Sequence, residues 1–181
     1  MKIIGLAGWS GAGKTTLVKR LIPYWRERGL SVSTIKHAHH KFDLDKPGKD
    51  SWIHREAGAQ EVLVCAERRW VLMHELRDAP PPPLSELLAK MAPVDLVVVE
   101  GFRAAPYRKI EVHRQALGKP WLYPDDDHIA GLATDVAAEA GLPAAHLDDV
   151  PGIAAMMEQA AMPVEDLPAD LQADLRAARP A

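Results

Sequence analysis

The sequence predicts an α/β fold, in which a mostly parallel sheet is flanked by helices and carries a small β-hairpin insertion. Apolar runs of strand length alternate along the chain with stretches of helical periodicity, which is typical of crossover connections in a parallel sheet. The run Leu96-Val97-Val98-Val99 is continuously apolar, as expected for a strand buried on both faces. With 181 residues, the chain can bury roughly 70% of its unfolded surface without a disulfide or metal.

In the first half, residues 2–7 form the first predicted strand because their apolar side chains run together. Residues 14–28 follow as a helix, since Leu17, Leu21 and Trp25 recur at every fourth position and Gly29 is a typical helix stop. Residues 31–36 alternate polar and apolar side chains and form a second strand. A polar loop leads to a short helix over residues 50–57, and residues 61–66 and 70–74 form the hairpin.

The second half begins with a proline-rich segment. Four consecutive prolines within residues 79–83 exclude a helix or an inner strand and predict a stiff, extended connector. Further helices are predicted over residues 84–91 and 150–159, and further strands over residues 95–100, 110–113 and 129–133. We assign residues 1–160 to one domain and expect residues 161–181, which carry few large apolar side chains, to form a loosely ordered tail.

Composition narrows the classes of function. Residues 1–123 hold 20 Lys and Arg against 13 Asp and Glu, whereas residues 124–181 hold 2 against 12. The basic part can attract an anion, and the acidic end disfavours nucleic acid as a partner. No apolar run approaches the ~18 residues of a membrane span, and no signal-peptide core follows Met1, so we expect a cytoplasmic protein without a membrane anchor. The single cysteine, Cys65, excludes an internal disulfide and is predicted to be a small core residue.

A phosphate-binding motif follows the first strand. Gly8-Trp9-Ser10-Gly11-Ala12-Gly13-Lys14-Thr15 satisfies the Walker A pattern in full, and Thr16 comes next. Glycines let the backbone turn so that its N–H groups surround a phosphate, and the start of the next helix directs its dipole at the same anion. Lys14 is expected to reach the β- and γ-phosphates, and the Thr15 hydroxyl to ligate Mg²⁺. The predicted fold is therefore P-loop NTPase-like, with nucleotide contacts from Ser10, Gly11, Ala12, Gly13, Lys14, Thr15 and Thr16.

An acidic residue at the end of a neighbouring strand completes such a site. Asp95 and Glu100 bracket the apolar run 96–99 and lie roughly 16 Å apart if that run is extended. Ligands bind outside the carboxyl ends of parallel strands, so Glu100 is at the correct end and Asp95 at the opposite one. Glu100 is therefore a candidate for metal binding or for orienting water, and an exposed strand-end carboxylate is the alternative. Lys14 and Glu100 are the candidate catalytic residues.

Four segments together resemble one family. They are residues 8–16, Ile35-Lys36-His37-Ala38-His39-His40, Asp45-Lys46-Pro47-Gly48-Lys49-Asp50-Ser51 and Val99-Glu100-Gly101-Phe102. They resemble the molybdopterin-guanine dinucleotide biosynthesis adapter proteins, MobB, over about residues 1–155. Where members of that family have Thr and Lys, this chain has Ala12 and Arg103; the second change keeps the charge and alters the hydrogen-bond geometry.

The resemblance implies a GTP-binding protein, usually dimeric, with at most slow GTPase activity. Its implied cofactors are GTP and Mg²⁺. Its implied partner is MobA, the guanylyltransferase that joins GMP to molybdopterin, together with molybdopterin-carrying proteins. A different class of function, an ATP-dependent kinase or ligase of the dethiobiotin-synthetase type, shares the phosphate loop and the strand-end Glu-Gly. A kinase normally needs a lid with arginines and a defined acceptor pocket. Here the candidate lid is short and the loop residues match those of the adapter family, which favours the adapter.

Basic residues cluster after the second strand. We consider Lys36, His37, His39, His40, Lys46, Lys49 and Arg103 as contacts to the γ-phosphate or to a pterin phosphate. A transition-metal site at the histidines and a plain solvated loop are the alternatives. Asp50 is a candidate second magnesium contact and equally a helix cap.

Base selection rests on one carboxylate. Guanine presents N1–H and N2–H₂ side by side, and a carboxylate can accept from both. Asp135 follows the predicted strand 129–133 and is the candidate for this contact. The alternative is that Thr134 or Asp135 caps a helix over residues 136–140.

Overall fold

The computed structural model describes residues 1–38, 44–102, 105–138 and 141–168. The chain divides into two compact units, of which the first comprises residues 1–37 and 84–181 and the second residues 38–83. Within the described residues, no helix is both long and apolar enough to cross a membrane.

The first unit is built on a seven-stranded sheet. Its strands are β1 (Lys2–Ala7), β2 (Val32–Lys36), β5 (Leu96–Glu100), β6 (Lys109–His113), β7 (Ile129–Thr134), β8 (Ala144–His146) and β9 (Met162–Pro163). They lie in the order β2-β5-β1-β6-β7-β8 and pair in parallel, while β9 pairs antiparallel with the start of β1. The predicted α/β fold with a mostly parallel sheet is confirmed.

Helices cover both faces of this sheet. Helices α1 (Lys14–Glu27) and α4 (Val150–Ala160) pack over one face, where Leu21 and Trp25 are fully buried beside Ile4 of β1. On the other face, α3 (Leu84–Ala89) buries Leu84 and Leu88 against Val97 and Val99 of β5. Both faces of β1 and β5 are therefore shielded from solvent, which explains the unbroken apolar runs in these two strands.

The second unit contains α2 (Asp50–Glu56) and a two-stranded antiparallel sheet of β3 (Glu61–Ala66) and β4 (Arg69–His74). Arg55 holds the unit together, because its guanidinium donates to Asp45 Oδ2 at 3.2 Å and to Glu75 Oε1 at 2.9 Å. The predicted hairpin is confirmed. Cys65 is exposed, so its prediction as a core residue is wrong: a two-stranded sheet leaves much of its surface in solvent.

Two features near the end of the first unit differ from the sequence prediction. Strand β8 has no alternating pattern of its own and is recognisable only by its pairing with β7. We expected the tail to begin at residue 161, but Met162 pairs with Ile3, and Val164 and Leu167 are buried in the same core as Leu84 and Leu88 of α3. The packed part of the chain therefore extends at least to Leu167. Residues 169–181 lie outside the described residues.

Candidate functional site

The phosphate loop connects the end of β1 to the start of α1, at the carboxyl edge of the sheet. Its first glycine is sterically required: Gly8 has φ +142°, and a Cβ there would lie 2.4 Å from the Val112 carbonyl oxygen. Gly13 has φ +102° immediately before the helix begins. Ser10, Gly11 and Thr16 are exposed, whereas Ala12 is buried beneath the loop. The loop therefore has the glycine-dependent backbone that the motif predicts.

Lys14 folds back over this loop. Its Nζ donates to the carbonyl oxygens of Gly8 at 2.7 Å and Trp9 at 3.0 Å. Desolvation by burial lowers the pKa of Lys14, although the nearby Glu100 carboxylate opposes the shift. The ammonium group is thus held at the mouth of the loop by two neutral acceptors, which an incoming anion can replace.

Glu100 lies at the carboxyl end of β5, next to Thr15. The Thr15 hydroxyl Oγ1 is 3.4 Å from Glu100 Oε1 and 3.5 Å from Oε2, and Lys36 Nζ is 3.8 Å from Oε1. Asp95 lies at the opposite end of β5, where it accepts hydrogen bonds from the Ser31 backbone N–H and hydroxyl. The carboxylate that the sequence assigned to the site edge is therefore the one that meets the phosphate loop.

A tight turn fixes the position of Glu100. Gly101 has φ +101°, and a Cβ there would lie 2.5 Å from His37 Cβ. The His37 ring stacks on Phe102 with centroids 4.7 Å apart, and the His37 backbone N–H donates to Glu100 O at 2.8 Å. Tyr107 Oη donates to Gly101 O at 2.9 Å. The ends of β2 and β5 are thereby joined directly beneath the Glu100 side chain.

Asp135 lies three strands away along the same edge, at the end of β7. Its Oδ1 accepts from the Gln115 backbone N–H at 2.9 Å, and its Oδ2 is 3.7 Å from Arg114 Nη1. The hydrogen bond from Gln115 N–H lowers the pKa of Asp135, and the nearby charge of Arg114 acts in the same direction. An open cavity of about 320 Å³ adjoins this ionised carboxylate. It is lined by Thr134, Asp135, Val136, Ala137, Ala138, Ala144, Ala145 and His146.

The structure does not support the alternative that Asp135 caps a helix. Residues 136–138 are not helical, and the Asp135 carboxylate binds Gln115, twenty residues earlier in the chain. Thr134 Oγ1 accepts from the Val136 backbone N–H at 3.3 Å, a local turn contact. Residues 139 and 140 of the predicted helix lie outside the described residues.

The segment after β6, which the sequence analysis did not single out, supports the phosphate loop. Trp9 Nε1 donates to Pro120 O at 2.8 Å. Glu111, fully buried on β6, accepts from the backbone N–H groups of Leu122 and Tyr123, both at 2.9 Å. Arg114 begins this segment, and its Nη2 lies 3.6 Å from the position of a Cβ on Gly13. One signal could have identified this segment from the sequence. Strand β6 also ends at the carboxyl edge of the sheet, and polar residues that follow a strand at this edge belong to the site.

The remaining candidates divide between the second unit and the undescribed residues. Lys46, Lys49 and Asp50 belong to the second unit, where Lys49 precedes α2 and Asp50 is its first residue. The cap position is therefore Lys49 and not Asp50. His39, His40 and Arg103 lie outside the described residues, so their predicted contacts stay predictions. Across the ranges the structure covers, no group of three or more His, Cys, Asp or Glu side chains is arranged to hold a metal ion.

Comparison with known proteins places the chain in a family. The family model for MobB, "Molybdopterin guanine dinucleotide synthesis protein B", matches residues 3–135. The molybdopterin-guanine dinucleotide biosynthesis adapter proteins of Haemophilus influenzae and Escherichia coli K12 are each 40% identical, over 86% and 84% of this chain and 87% and 89% of their own lengths.

Solved structures of MobB proteins share the fold. A crystal structure of molybdopterin-guanine biosynthesis protein B is similar with a TM-score of 0.70 and 26% identity, over 87% of this chain and 98% of that one. The Bacillus subtilis MobB structure has a TM-score of 0.66 at 24% identity, over the same shares of the two chains. The chain therefore has the P-loop NTPase-like fold of these proteins and belongs to the MobB family of molybdopterin-guanine dinucleotide biosynthesis adapter proteins.

Proposed function

We propose that the chain is a GTP-binding adapter that assists a MobA-type guanylyltransferase in attaching GMP to molybdopterin, and that it hydrolyses GTP slowly at most. One observation carries the nucleotide part of this proposal. Three features follow one another along the carboxyl edge of a single sheet. They are the base-sized cavity beside the ionised Asp135 carboxylate, the phosphate loop, and the pair formed by the Thr15 hydroxyl and the Glu100 carboxylate.

The spacing of these groups suits one extended ligand. Asp135 follows β7, the phosphate loop follows β1, and Glu100 ends β5, with β6 between β7 and β1. Neighbouring strands lie about 4.8 Å apart, so the strand ends carrying Asp135 and Glu100 are separated by roughly 14 Å. A nucleoside triphosphate laid across the edge then has its base at Asp135 and its terminal phosphate near Glu100.

Guanine is the base that the cavity favours. Its walls are mainly small apolar side chains, and its polar wall includes the Asp135 carboxylate, which is ionised at neutral pH and accepts hydrogen bonds. Guanine offers two adjacent donors to such a group, whereas adenine offers no such pair there. A site built around a hydrogen-bonding group rejects ligands that leave it unpaired.

Magnesium would be held at the other end of the ligand. The Thr15 hydroxyl and the Glu100 carboxylate, 3.4 Å apart, supply the oxygen donors that Mg²⁺ prefers, the second of them through water. Asp50 lies in the second unit, and its role as a magnesium contact remains a prediction from the sequence. The ion would neutralise charge on the β- and γ-phosphates. Lys14, Lys36 and His37 would add phosphate contacts from α1 and β2. The candidates His39, His40, Lys46, Lys49 and Arg103 remain proposed contacts to the γ-phosphate or to a pterin phosphate.

The partners follow from the family and from one exposed surface. The family's named role in molybdopterin-guanine dinucleotide biosynthesis supports our proposal that MobA and molybdopterin-carrying proteins are the partners, in the cytoplasm. For homodimerisation we consider the hairpin, whose register places Leu63 opposite Leu72 and Cys65 opposite Trp70 on one face. Leu63 and Trp70 are 61% and 66% exposed, and an apolar patch of this kind typically binds another protein surface. A second copy of the same hairpin would cover it, so Trp70→Glu should convert a dimer to a monomer in sedimentation, with Arg68→Glu as the control.

Calorimetric titration with GTP, ATP and their diphosphates, with and without Mg²⁺, tests the nucleotide proposal. We expect GTP to bind more tightly than ATP, and Mg²⁺ to strengthen triphosphate binding. Equal affinity for both bases would contradict the guanine assignment, and the absence of nucleotide binding would contradict the proposed function. The kinase or ligase alternative predicts preference for ATP in the same titration.

A further inference from the structure

Arg114 occupies the gap between the phosphate loop and the candidate base cavity. It is the first residue after β6, the strand that separates β1 from β7. Its Nη2 lies 3.6 Å from the Cβ position of Gly13, and its Nη1 lies 3.7 Å from Asp135 Oδ2. One guanidinium group therefore reaches both parts of the site.

The backbone of Arg114 is held by hydrogen bonds, but its guanidinium makes no short polar contact with the described residues. Arg114 O accepts from the Leu117 N–H at 3.1 Å, and the next N–H, that of Gln115, donates to Asp135. Among the described residues, the guanidinium has only Asp135 as a polar partner, at a separation longer than a hydrogen bond. The side chain is 44% exposed.

Arg20 shows what a structural arginine looks like in the same unit. Its side chain is 40% exposed, close to the value for Arg114. Its guanidinium nevertheless makes three contacts between 3.0 and 3.2 Å, to the Leu147 carbonyl and to the carboxylate and carbonyl of Asp148. Arg114 has comparable exposure without such anchoring, so its guanidinium is available to a ligand.

We propose that Arg114 binds the phosphate nearest the sugar of the bound nucleotide. This inference rests on the proposed function, because it takes the base to lie at Asp135. Lys14 and Thr15 face Glu100 and the terminal phosphates, whereas Arg114 approaches the loop from the side of Asp135. The phosphate on that side is the one attached to the sugar. Arginine suits it because its planar fork can donate two parallel hydrogen bonds to phosphate oxygens.

Affinities of guanosine, GMP, GDP and GTP test the assignment. They are to be measured for the wild type, Arg114→Ala, Arg114→Lys and the matched control Arg20→Ala, with thermal unfolding to confirm that each variant is folded. We expect Arg114→Ala to weaken GMP, GDP and GTP by a similar factor of roughly ten to a hundred, and guanosine far less. Arg114→Lys should lose less, and Arg20→Ala should match the wild type with every ligand.

Each contrary outcome overturns a distinct part of the reasoning. An equal loss for guanosine would assign Arg114 to base binding through Asp135, and a loss confined to GTP would move its contact to the terminal phosphate. Unchanged affinities would leave Arg114 as a surface residue while the proposed nucleotide site stands. A wild-type protein that binds none of the nucleotides would overturn the proposed function and this inference with it.

Discussion

Asp135→Asn separates base recognition from phosphate binding. The asparagine keeps a carbonyl oxygen that can accept from the Gln115 N–H, now 2.9 Å from Asp135 Oδ1. It replaces the second acceptor with an NH₂ group, which faces guanine's own donors and leaves one of them unpaired. An unpaired buried group costs about 1–3 kcal/mol, so we expect GTP to bind roughly ten- to a hundredfold more weakly. ATP binding should be unchanged or slightly improved.

The same substitution has a small expected effect on folding. It removes the ion pair with Arg114, whose 3.7 Å separation and partial exposure limit its contribution to at most about 1 kcal/mol. It also weakens one hydrogen bond from Gln115. Because the pKa of Asp135 is lowered in the folded state, its stabilising effect is present above the unfolded pKa of about 4 and is lost as the pH falls through the folded value. The stability difference between the two proteins should therefore shrink below about pH 4.

Calorimetry with GTP and ATP on both proteins, combined with chemical unfolding at pH 7 and pH 3, measures both effects. Equal weakening of the two nucleotides would mean that the substitution distorts the phosphate loop through residues 114 and 115. Unchanged GTP affinity would refute the assignment of Asp135 to the base and would leave it as an anchor for the segment after β6.

Three further substitutions test the rest of the site. Lys14→Ala should abolish most GTP affinity while the protein stays folded, because Lys14 donates to just two loop carbonyls among the described residues, and wild-type affinity in calorimetry would contradict the phosphate site. Glu100→Gln should reduce the Mg²⁺-dependent part of GTP binding and leave the metal-free part nearly unchanged; an unaltered response in a Mg²⁺ titration would make Glu100 an ordinary strand-end residue. Glu111→Gln should lower the free energy of unfolding by about 1–3 kcal/mol, since the amide NH₂ would replace one of the two carboxylate oxygens and face the N–H of Leu122 or Tyr123, and a denaturant midpoint equal to wild type would refute this anchor.

Local sequence patterns predicted the parts of the molecule that local chemistry determines. The glycine spacing of the phosphate loop, the apolar run of β5 and the stripe of Leu17, Leu21 and Trp25 each specify their own conformation, and the structure confirms them. Ligands bind at the carboxyl ends of parallel strands, so the direction of β5 alone predicted that Glu100, and not Asp95, lies beside the loop.

The features that the sequence did not reveal depend on distant pairing. Strand β8 has three residues, and its pairing with β7, rather than any periodic pattern, identifies it. The buried position of Leu167 follows from the antiparallel pairing of Met162 with Ile3. Arg114 lies between the phosphate loop and Asp135 because β6 lies between β1 and β7 in the sheet. This spatial order of strands cannot be read from the order of the elements along the chain. In each case a partner a dozen or more residues away along the chain decides the outcome.

The phosphate loop is a case in which a local motif is shaped by distant support. The Walker pattern explains why glycine is allowed at residue 8, but the nearby Val112 carbonyl explains why a side chain is excluded there. Trp9 ties the loop to Pro120, and buried Glu111 fixes the adjacent Leu122 and Tyr123. The loop conformation thus depends on a carboxylate outside the motif. A substitution at Glu111 should consequently affect the loop through backbone support, whereas one at Lys14 removes a ligand contact and leaves that support intact.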